Sequence, residues 1–349
     1  MQSMSERRTV EWVSNKVRLI DQTKLPYLFA HVTLRNYRRV ARAIKEMVVR
    51  GAPAIGVAAA MGIALAANAN RTKNREKFMG ELDTAAEVLK QSRPTAWNLF
   101  WAIDRVMQVA QTAGQPTEIA DKIVAEAKRM AEMDVETNRR IGEFGSVLLK
   151  DGDQVLTHCN TGTLATVSYG TALAPIRTAI NQGKKVRVIA TETRPRLQGA
   201  KLTTYELLTD KIPVTLIVDG AAGYVMKTGR VNAVILGADR VTKKFVANKV
   251  GTYMIALAAN ANQIPFYVAA PSSTFDLNPA HEGVEIEERS AQEITHIGGK
   301  RIAPKGIKVF NPAFDLTPVE LVSGFITEKG VVGPEMLRAD GLRPENSGG

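Results

Sequence analysis

The spacing of apolar residues changes twice along the chain. Near the start, VEWVSN and KVRLIDQT alternate apolar and polar positions on either side of an Asn-Lys turn, and LPYLFAHVT follows at a proline. Such runs predict short strands, and together a small antiparallel sheet. Over residues 36–149 the period becomes helical in NYRRVARAIKEMVV, an Ala-rich segment, REKFMGELDTAAEVLKQ, AWNLFWAIDRVMQVAQ and TEIADKIVAEAKRMAEMDVETNRRIGEFGSVLL. The helices break at RGAP (residues 50–53) and SRPT (residues 92–95), where each proline biases its predecessor away from the helix. After Lys150-Asp151-Gly152 the runs QVLTH, KVRVIAT, PVTLIVD, NAVILGA and PFYVAAP each end in a polar loop and precede a helix-length stretch. That alternation predicts a parallel, doubly wound sheet. The expected architecture is therefore α/β. A small β-sheet plus helices fills residues 1–149, a Rossmann-like domain fills 150–349, and the active site lies between them. No repeat of fixed period is visible, and only the final ENSGG reads as frayed.

Composition narrows the class. The 349 residues suit about two domains, and 45% hydrophobic with 23% charged residues is ordinary for a globular protein. One cysteine, Cys159, excludes an internal disulfide and any CxxC pair. MQSMSERRTVEW has neither an apolar run nor a small-residue cleavage site, so a cytoplasmic protein without a secretory signal is expected. The Ala-rich stretch of residues 52–67 is too short and too small-chained for a membrane span and is expected to be a buried helix. A net charge of +11 favours anionic partners, but no block of like charges marks a nucleic-acid tail.

In an open α/β sheet, ligands bind beyond the carboxyl ends of the strands. The residues there are His158-Cys159-Asn160, then Glu192 to Arg196, then Asp219, Asp239-Arg240 and Ser272 to Thr274. This set suits proton transfer on an anionic substrate. Cys159 reads either as a small buried hydrophobe or, at a strand end that opens a helix, as an activated thiol. Asp239 either caps the next segment or, at the end of an apolar strand, serves as an acid; Asp219 has the same placement. Arg50 beside Gly51-Ala52 and Arg93 beside Pro94 sit at helix breaks, where free N–H groups suit a phosphate but arginines also cap helix C-termini. His31, His281 and His296 match no metal spacing, and no metal is expected. Neither GxGxxG nor a P-loop occurs, so no nucleotide cofactor is expected.

RGAPAIGVAAA, SRPTAWNL, LTHCNTGTLATVSYGTAL, ETRPRLQGAKLTTYEL, GADR, ANKVGTY, PFYVAAPSSTFD and TPVELVSGFITEKG, spread over residues 50–330, together resemble the methylthioribose-1-phosphate isomerase family. That family shares its fold with the regulatory subunits of a eukaryotic initiation-factor exchange factor and with ribose-1,5-bisphosphate isomerases. The resemblance implies a homodimeric aldose–ketose isomerase of methionine salvage. It would act on a small phosphorylated sugar without cofactor, metal, nucleic acid or membrane. It places catalytic roles on Cys159 and Asp239 and substrate contacts on Arg50, Gly51, Ala52, Arg93, Gln198, Asn248 and Lys249. The chain departs from the family in reading CNTGTLAT, with Thr161 and Thr163, for the usual CNAGALAT. It also has Lys244-Phe245-Val246 where a Gly-Asp pair is usual. The alternatives are an isomerase of ribose 1,5-bisphosphate or 5-deoxyribose 1-phosphate, or a non-enzymatic regulatory subunit. Trp97, Phe100 and Trp101 would suit a methylthio group, or belong to the core.

Overall fold

The computed structural model describes residues 3–278 and 286–337, so His281 and the terminal ENSGG lie outside the described residues. It forms two compact units, one of Met1–Arg140 with Thr161–Ala174, the other of Ile141–Asn160 with Pro175–Gly349.

The first unit opens with strands β1 (Val10–Val13), β2 (Lys16–Ile20) and β3 (His31–Leu34), an antiparallel sheet in that order. The β1–β2 turn falls on Ser14 and Asn15, both at positive φ (48° and 57°), rather than on Asn15 and Lys16. Val13 pairs with Lys16, and a two-residue hairpin loop with both residues left-handed matches the strand twist. Of LPYLFAHVT only the last three residues are extended; the chain turns at Leu25 to Tyr27 before entering β3.

Helices α1 (Tyr37–Lys45), α2 (Ala52–Asn70), α3 (Arg75–Lys90), α4 (Trp97–Ala110) and α5 (Pro116–Ser146) follow, and the boundary between the units falls within α5. Asn36 caps α1 by accepting from Arg39 N–H at 3.0 Å, and Asn74 caps α3 by accepting from Lys77 N–H at 2.9 Å. Helix α2 is long and apolar enough to cross a membrane. It is instead the core of this unit, with only Pro53, Asn68 and Ala69 escaping full burial. Its alanines and glycines let α1, α3 and α4 approach closely. Leu89 would lie 3.1 Å from a Cβ added at Gly62, and the Asn98 carbonyl 2.9 Å from one at Gly56. Phe78, Leu82 and Leu89 of α3 and Leu99, Ile103 and Val106 of α4 close the core, on which Phe100 and Trp101 also pack.

The second unit holds a seven-stranded sheet of β4 (Gln154–Thr157), β5 (Arg187–Thr191), β6 (Val214–Ile217), β7 (Ala233–Leu236), β10 (Phe266–Ala269), β14 (Gly324–Thr327) and β15 (Gly330–Val332). Between these lie helices α6 (Leu173–Asn181), α7 (Thr204–Thr209), α8 (Ala222–Lys227), α9 (Thr252–Ala261) and α10 (Gln292–Thr295). The spatial order is β15-β14-β10-β7-β4-β5-β6, parallel except for the antiparallel edge β15. All five runs read from the sequence are strands of this sheet. Strands β14 and β15 of the sheet were not foreseen, nor were two further pieces: an antiparallel sheet of β8 (Arg240–Val241), β9 (Phe245–Lys249) and β13 (Phe314–Pro318), and a small ladder of β11 (His296–Ile297) and β12 (Lys300–Arg301).

One expectation is corrected. No helix opens at Cys159. Residues 163–165 make a single 3-10 turn, and α6 starts only at Leu173. The intervening hydroxyls compete for the backbone: Thr166 Oγ1 donates to the Ser168 carbonyl at 2.8 Å. The backbone itself bonds elsewhere in the first unit, with Thr9 N–H donating to Val167 O at 2.8 Å and Gln22 Nε2 to Leu164 O at 2.7 Å. Asp134 of α5 accepts from Val167 N–H at 2.6 Å, and desolvation of this partly buried carboxyl pushes it up to about 7.

Candidate active site

The chain proceeds from β4 through β5 to β6 in one direction, then returns to lay β7, β10 and β14 on the other side of β4. Strands β4 and β7 are neighbours, with Val155 opposite Ala233 and Leu156 opposite Val234. The crevice where a doubly wound sheet binds ligands opens at such a reversal. Cys159 lies two residues beyond the end of β4, and Asp239 three beyond the end of β7.

Cys159 is 6% exposed and left-handed, at φ 64°. That conformation costs a residue with a Cβ roughly 1–2 kcal/mol and persists only where neighbours enforce it. Its N–H donates to Thr193 Oγ1 at 2.8 Å, and its carbonyl accepts from Thr203 Oγ1 at 2.7 Å. The buried Asn160 donates through Nδ2 to Glu206 Oε1 at 2.8 Å. Glu206 in turn is paired with Arg177, whose guanidinium also reaches Asp210.

His158 is structural. Its Nε2 lies 2.9 Å from the Val250 carbonyl, which can only accept, so that nitrogen carries the proton and Nδ1 accepts from Thr191 Oγ1 at 2.6 Å. Burial lowers the imidazole to about 4 against an opposing pull from Asp219, keeping the ring neutral at physiological pH. Asp219 accepts from the N–H groups of Thr193 and Arg194, one on each oxygen, both at 2.7 Å.

Asp239 is half-buried rather than sealed in the sheet, because the chain leaves β7 at Leu236 and turns into β8. Its N–H donates to Ala247 O at 2.9 Å. Beside it Arg240 pairs with the buried Asp276. Of the Lys244-Phe245-Val246 departure, Lys244 lies in the tight β8–β9 turn and Phe245 and Val246 open β9; the turn is closed by Thr242 N–H donating to Phe245 O at 2.9 Å.

The other residues of this unit lie beyond β5 and on β9. Gln198 is 8% exposed, and its side-chain oxygen is buried without a hydrogen-bond partner, an acceptor available to a substrate hydroxyl. Asn248 Nδ2 donates to Thr252 Oγ1 at 3.0 Å. Lys249 Nζ donates to Ala313 O at 2.6 Å and lies 4.6 Å from the centroid of the Phe314 ring. Nearby Asp315 accepts from Gly251 and Tyr253 N–H, at 2.7 and 3.2 Å, yet burial still lifts it to about 6.

The first unit carries Arg50, Gly51, Ala52 and Arg93. Gly51 precedes α2 at φ 95°, and a Cβ there would meet the Ala165 carbonyl oxygen at 2.4 Å and the Ala165 Cα at 2.5 Å. Only glycine fits. The start of α2 brings N–H groups beside Arg50, the makings of an anion site. Neither arginine sits in the last turn of the preceding helix; Arg42 and Lys45 fill that place on α1, and Lys90 on α3. Thr161, one of the two departures in CNTGTLAT, has a buried hydroxyl without a partner.

Sequence reasoning placed Thr193 after the second strand without giving it a role, and missed Thr203 and the Arg177, Glu206 and Asp134 carboxylate and guanidinium contacts. Their only signal was polar residues inside otherwise apolar helical or strand patterns. Among the described residues no group of three or more His, Cys, Asp or Glu side chains is arranged to hold a metal ion.

Residues 48–334 match the Initiation factor 2 subunit family. The chain is 54% identical over 328 residues to a methylthioribose-1-phosphate isomerase of Thermosipho africanus, covering 93% of this chain and 95% of the relative. The crystal structure of 5-methylthioribose 1-phosphate isomerase from Pyrococcus horikoshii is similar with a TM-score of 0.88 and 43% identity, over 96% of this chain and 95% of that one. A structure of a protein described as translation initiation factor eIF-2B, subunit delta, from A. fulgidus is similar with a TM-score of 0.86 and 47% identity, over 97% and 99%.

Proposed function

The chain belongs to the Initiation factor 2 subunit family, and from that premise we propose that it converts 5-methylthioribose 1-phosphate to 5-methylthioribulose 1-phosphate in methionine salvage. Relatives named for this isomerase match about half of the residues over nearly the whole of both chains. Because translation-factor subunits share the fold, the site must carry the assignment. The observation that carries it is the departure of Cys159 and Asp239 from neighbouring strands at the reversal of the sheet.

The chemistry is set by the substrate. Phosphate on C1 locks the furanose ring, so an acid must protonate the ring oxygen as its bond to C1 breaks. Asp239 gives that proton, leaving an electron-poor, phosphorylated C1. A hydrogen then passes from C2 to C1, and the C2 hydroxyl returns its proton to Asp239 as it becomes the ketone, so protons balance. In the enediol route Cys159 removes the C2 proton and redelivers it to C1; in the hydride route Cys159 stabilises the charge while hydrogen moves directly. Arg50 and Arg93, with the N–H groups at Gly51 and Ala52, hold the phosphate. Gln198, Asn248 and Lys249 orient the sugar hydroxyls.

The protein is expected to work in the cytoplasm as a homodimer on this small sugar phosphate, without nucleic acid or membrane. Edge strand β6 supports the dimer, because Leu216 and Val218 are 48% and 60% exposed on and beside it, with Tyr224 of α8 at 69%. Light scattering at the mass of one chain would exclude it.

Proton NMR in heavy water tests the function, with 5-methylthioribose 1-phosphate and ribose 1,5-bisphosphate supplied in parallel to metal-free protein. Turnover of the first alone is expected. Turnover of the second alone would move the substrate, and turnover of neither would favour a regulatory subunit. Deuterium at C1 of the product marks the enediol route.

A further inference from the structure

We propose that Thr193 and Asp219 are positioning residues for the Cys159 thiol, working as a two-step clamp across three adjacent strand ends. The proposal rests on Cys159 being a catalytic residue. Strands β4, β5 and β6 lie side by side, and Cys159, Thr193 and Asp219 each stand two residues beyond the end of one of them. Both Cys159 and Thr193 are left-handed, at φ 64° and 61°. Two consecutive strand ends thus hold non-glycine residues in a conformation they resist, and each must be fastened from outside.

The fastening runs in one direction. Asp219 uses both carboxylate oxygens on the N–H groups of Thr193 and Arg194, at 2.7 Å each, which fixes the turn beyond β5. That turn aims the Thr193 hydroxyl at Cys159 N–H, 2.8 Å away. The same hydroxyl donates its own hydrogen to the Thr191 carbonyl at 3.3 Å, which leaves its lone pair for Cys159. Thr203 closes the other side by donating to the Cys159 carbonyl at 2.7 Å. The turn leading to Thr203 reaches this position because residue 199 is glycine. A Cβ there would fall 1.8 Å from the Thr191 carbonyl oxygen and 2.9 Å from Thr193 Oγ1. Asp219 shares with Asp239 a place after a strand, though with less support as an acid. With each oxygen already accepting a backbone hydrogen bond, it is a holder of geometry instead.

Thr193→Val removes the hydroxyl at nearly constant volume, and Asp219→Asn turns one acceptor into a donor facing an N–H. Displacing a reacting group by about 1 Å costs on the order of 100-fold in rate. Each variant is therefore expected to lower kcat by roughly 10- to 100-fold with KM within about threefold of the parent, and Thr193→Ser to restore kcat to within a few-fold. Cys159→Ala is run beside them, with circular dichroism to confirm folding. An active Cys159→Ala protein would remove the catalytic reading itself. An inactive Cys159→Ala protein with Thr193→Val and Asp219→Asn at parental kcat would leave that reading standing and overturn the clamp. Parallel losses in kcat, KM and melting temperature that Thr193→Ser does not rescue would also overturn it, since they mark a purely structural role. Should Thr193→Val not fold, Asp219→Asn and Thr193→Ser are read by the same criteria.

Discussion

Replacing Arg177 by methionine probes the charged cluster beneath the residue that comes after the thiol. The guanidinium lies 2.9 Å from Glu206 and 2.7 Å from Asp210, and the three side chains are 3%, 0% and 5% exposed. Methionine fills similar volume but leaves two carboxylates buried without a cation. Breaking a buried pair in this way costs about 3–5 kcal/mol, far more than the pair is worth against a well-packed apolar replacement. For a unit of this size each kcal/mol lowers the melting temperature by about 2–4 °C, so a fall of roughly 6–20 °C is expected in thermal denaturation followed by circular dichroism. The triple replacement Arg177→Met, Glu206→Gln, Asp210→Asn removes all three charges and should recover most of the loss. Activity should fall further than stability explains, because Glu206 also anchors Asn160 through its Nδ2 at 2.8 Å. A loss below about 1 kcal/mol for the single variant would refute the claim that these carboxylates depend on Arg177.

The same geometry has other consequences. His158, lowered to about 4 from 6.5 by burial, binds its proton more readily in the unfolded chain. It therefore adds stability above pH 6.5 that is lost as pH falls towards 4, about 3 kcal/mol in all, and urea titrations of parent and His158→Gln should diverge in that window. Asp134 has the opposite sign: raised from 3.8 to about 7 by burial, it stabilises the fold in its protonated form. That contribution fades as pH rises from about 4 through 7, so Asp134→Asn should flatten this slope, and an unchanged slope would contradict the burial of the carboxyl. Gly51→Ala puts a methyl group 2.4 Å from the Ala165 carbonyl oxygen at φ 95°. It should cost more than about 3 kcal/mol and abolish turnover; a stable, active protein would show that the Ala165 segment is not seated there. Arg50→Lys keeps the charge but not the planar fork, and should raise KM at least tenfold with less effect on kcat if Arg50 grips phosphate in a bidentate way.

How much was legible in the sequence depended on how local each signal was. The five core strands stood out because both faces of a parallel sheet are covered, so QVLTH or NAVILGA reads as an unbroken apolar run. Helices α1 to α5 stood out by their period, while the caps Asn36 and Asn74 at the starts of α1 and α3 emerge from the structure. Strands β9 and β13 did not, since FVANK ends in Asn248 and Lys249 and β13 ends in Pro318; what makes them strands is their mutual pairing across some 65 residues, such as Asn248 with Asp315. The false helix after Cys159 has the same origin. TLATVSYG has helical spacing, but its backbone hydrogen bonds go to Thr9, Gln22 and Asp134. In the site, Cys159 and Asp239 were visible as reactive types at strand ends. Thr193 stood among them without a role and Thr203 not at all, because their importance lies in one hydroxyl meeting one main-chain group, a fact that spacing does not encode.

Those hydroxyls also bear on why one fold serves an isomerase and translation-factor subunits alike. The sheet order, the reversal between β4 and β7 and the apolar core would form with alanine at Cys159, since a left-handed turn needs support from its neighbours and not from its own side chain. What a regulatory subunit has no reason to maintain is the conjunction of strain and support at one point. Here that conjunction joins a thiol at φ 64°, two threonine hydroxyls on its main chain, a carboxylate spent on fixing one of them, and a neutral histidine locked beneath. Strain of this kind destabilises the fold and is retained where the geometry it enforces is used. Cys159→Gly provides the decisive comparison. Glycine adopts the left-handed turn without cost, so the variant should be as stable as the parent or more so, by up to about 1–2 kcal/mol, while losing all turnover. A Cys159→Gly protein that is less stable than the parent would mean that the thiol is there for packing, and the functional reading of the whole strand end would fail with it.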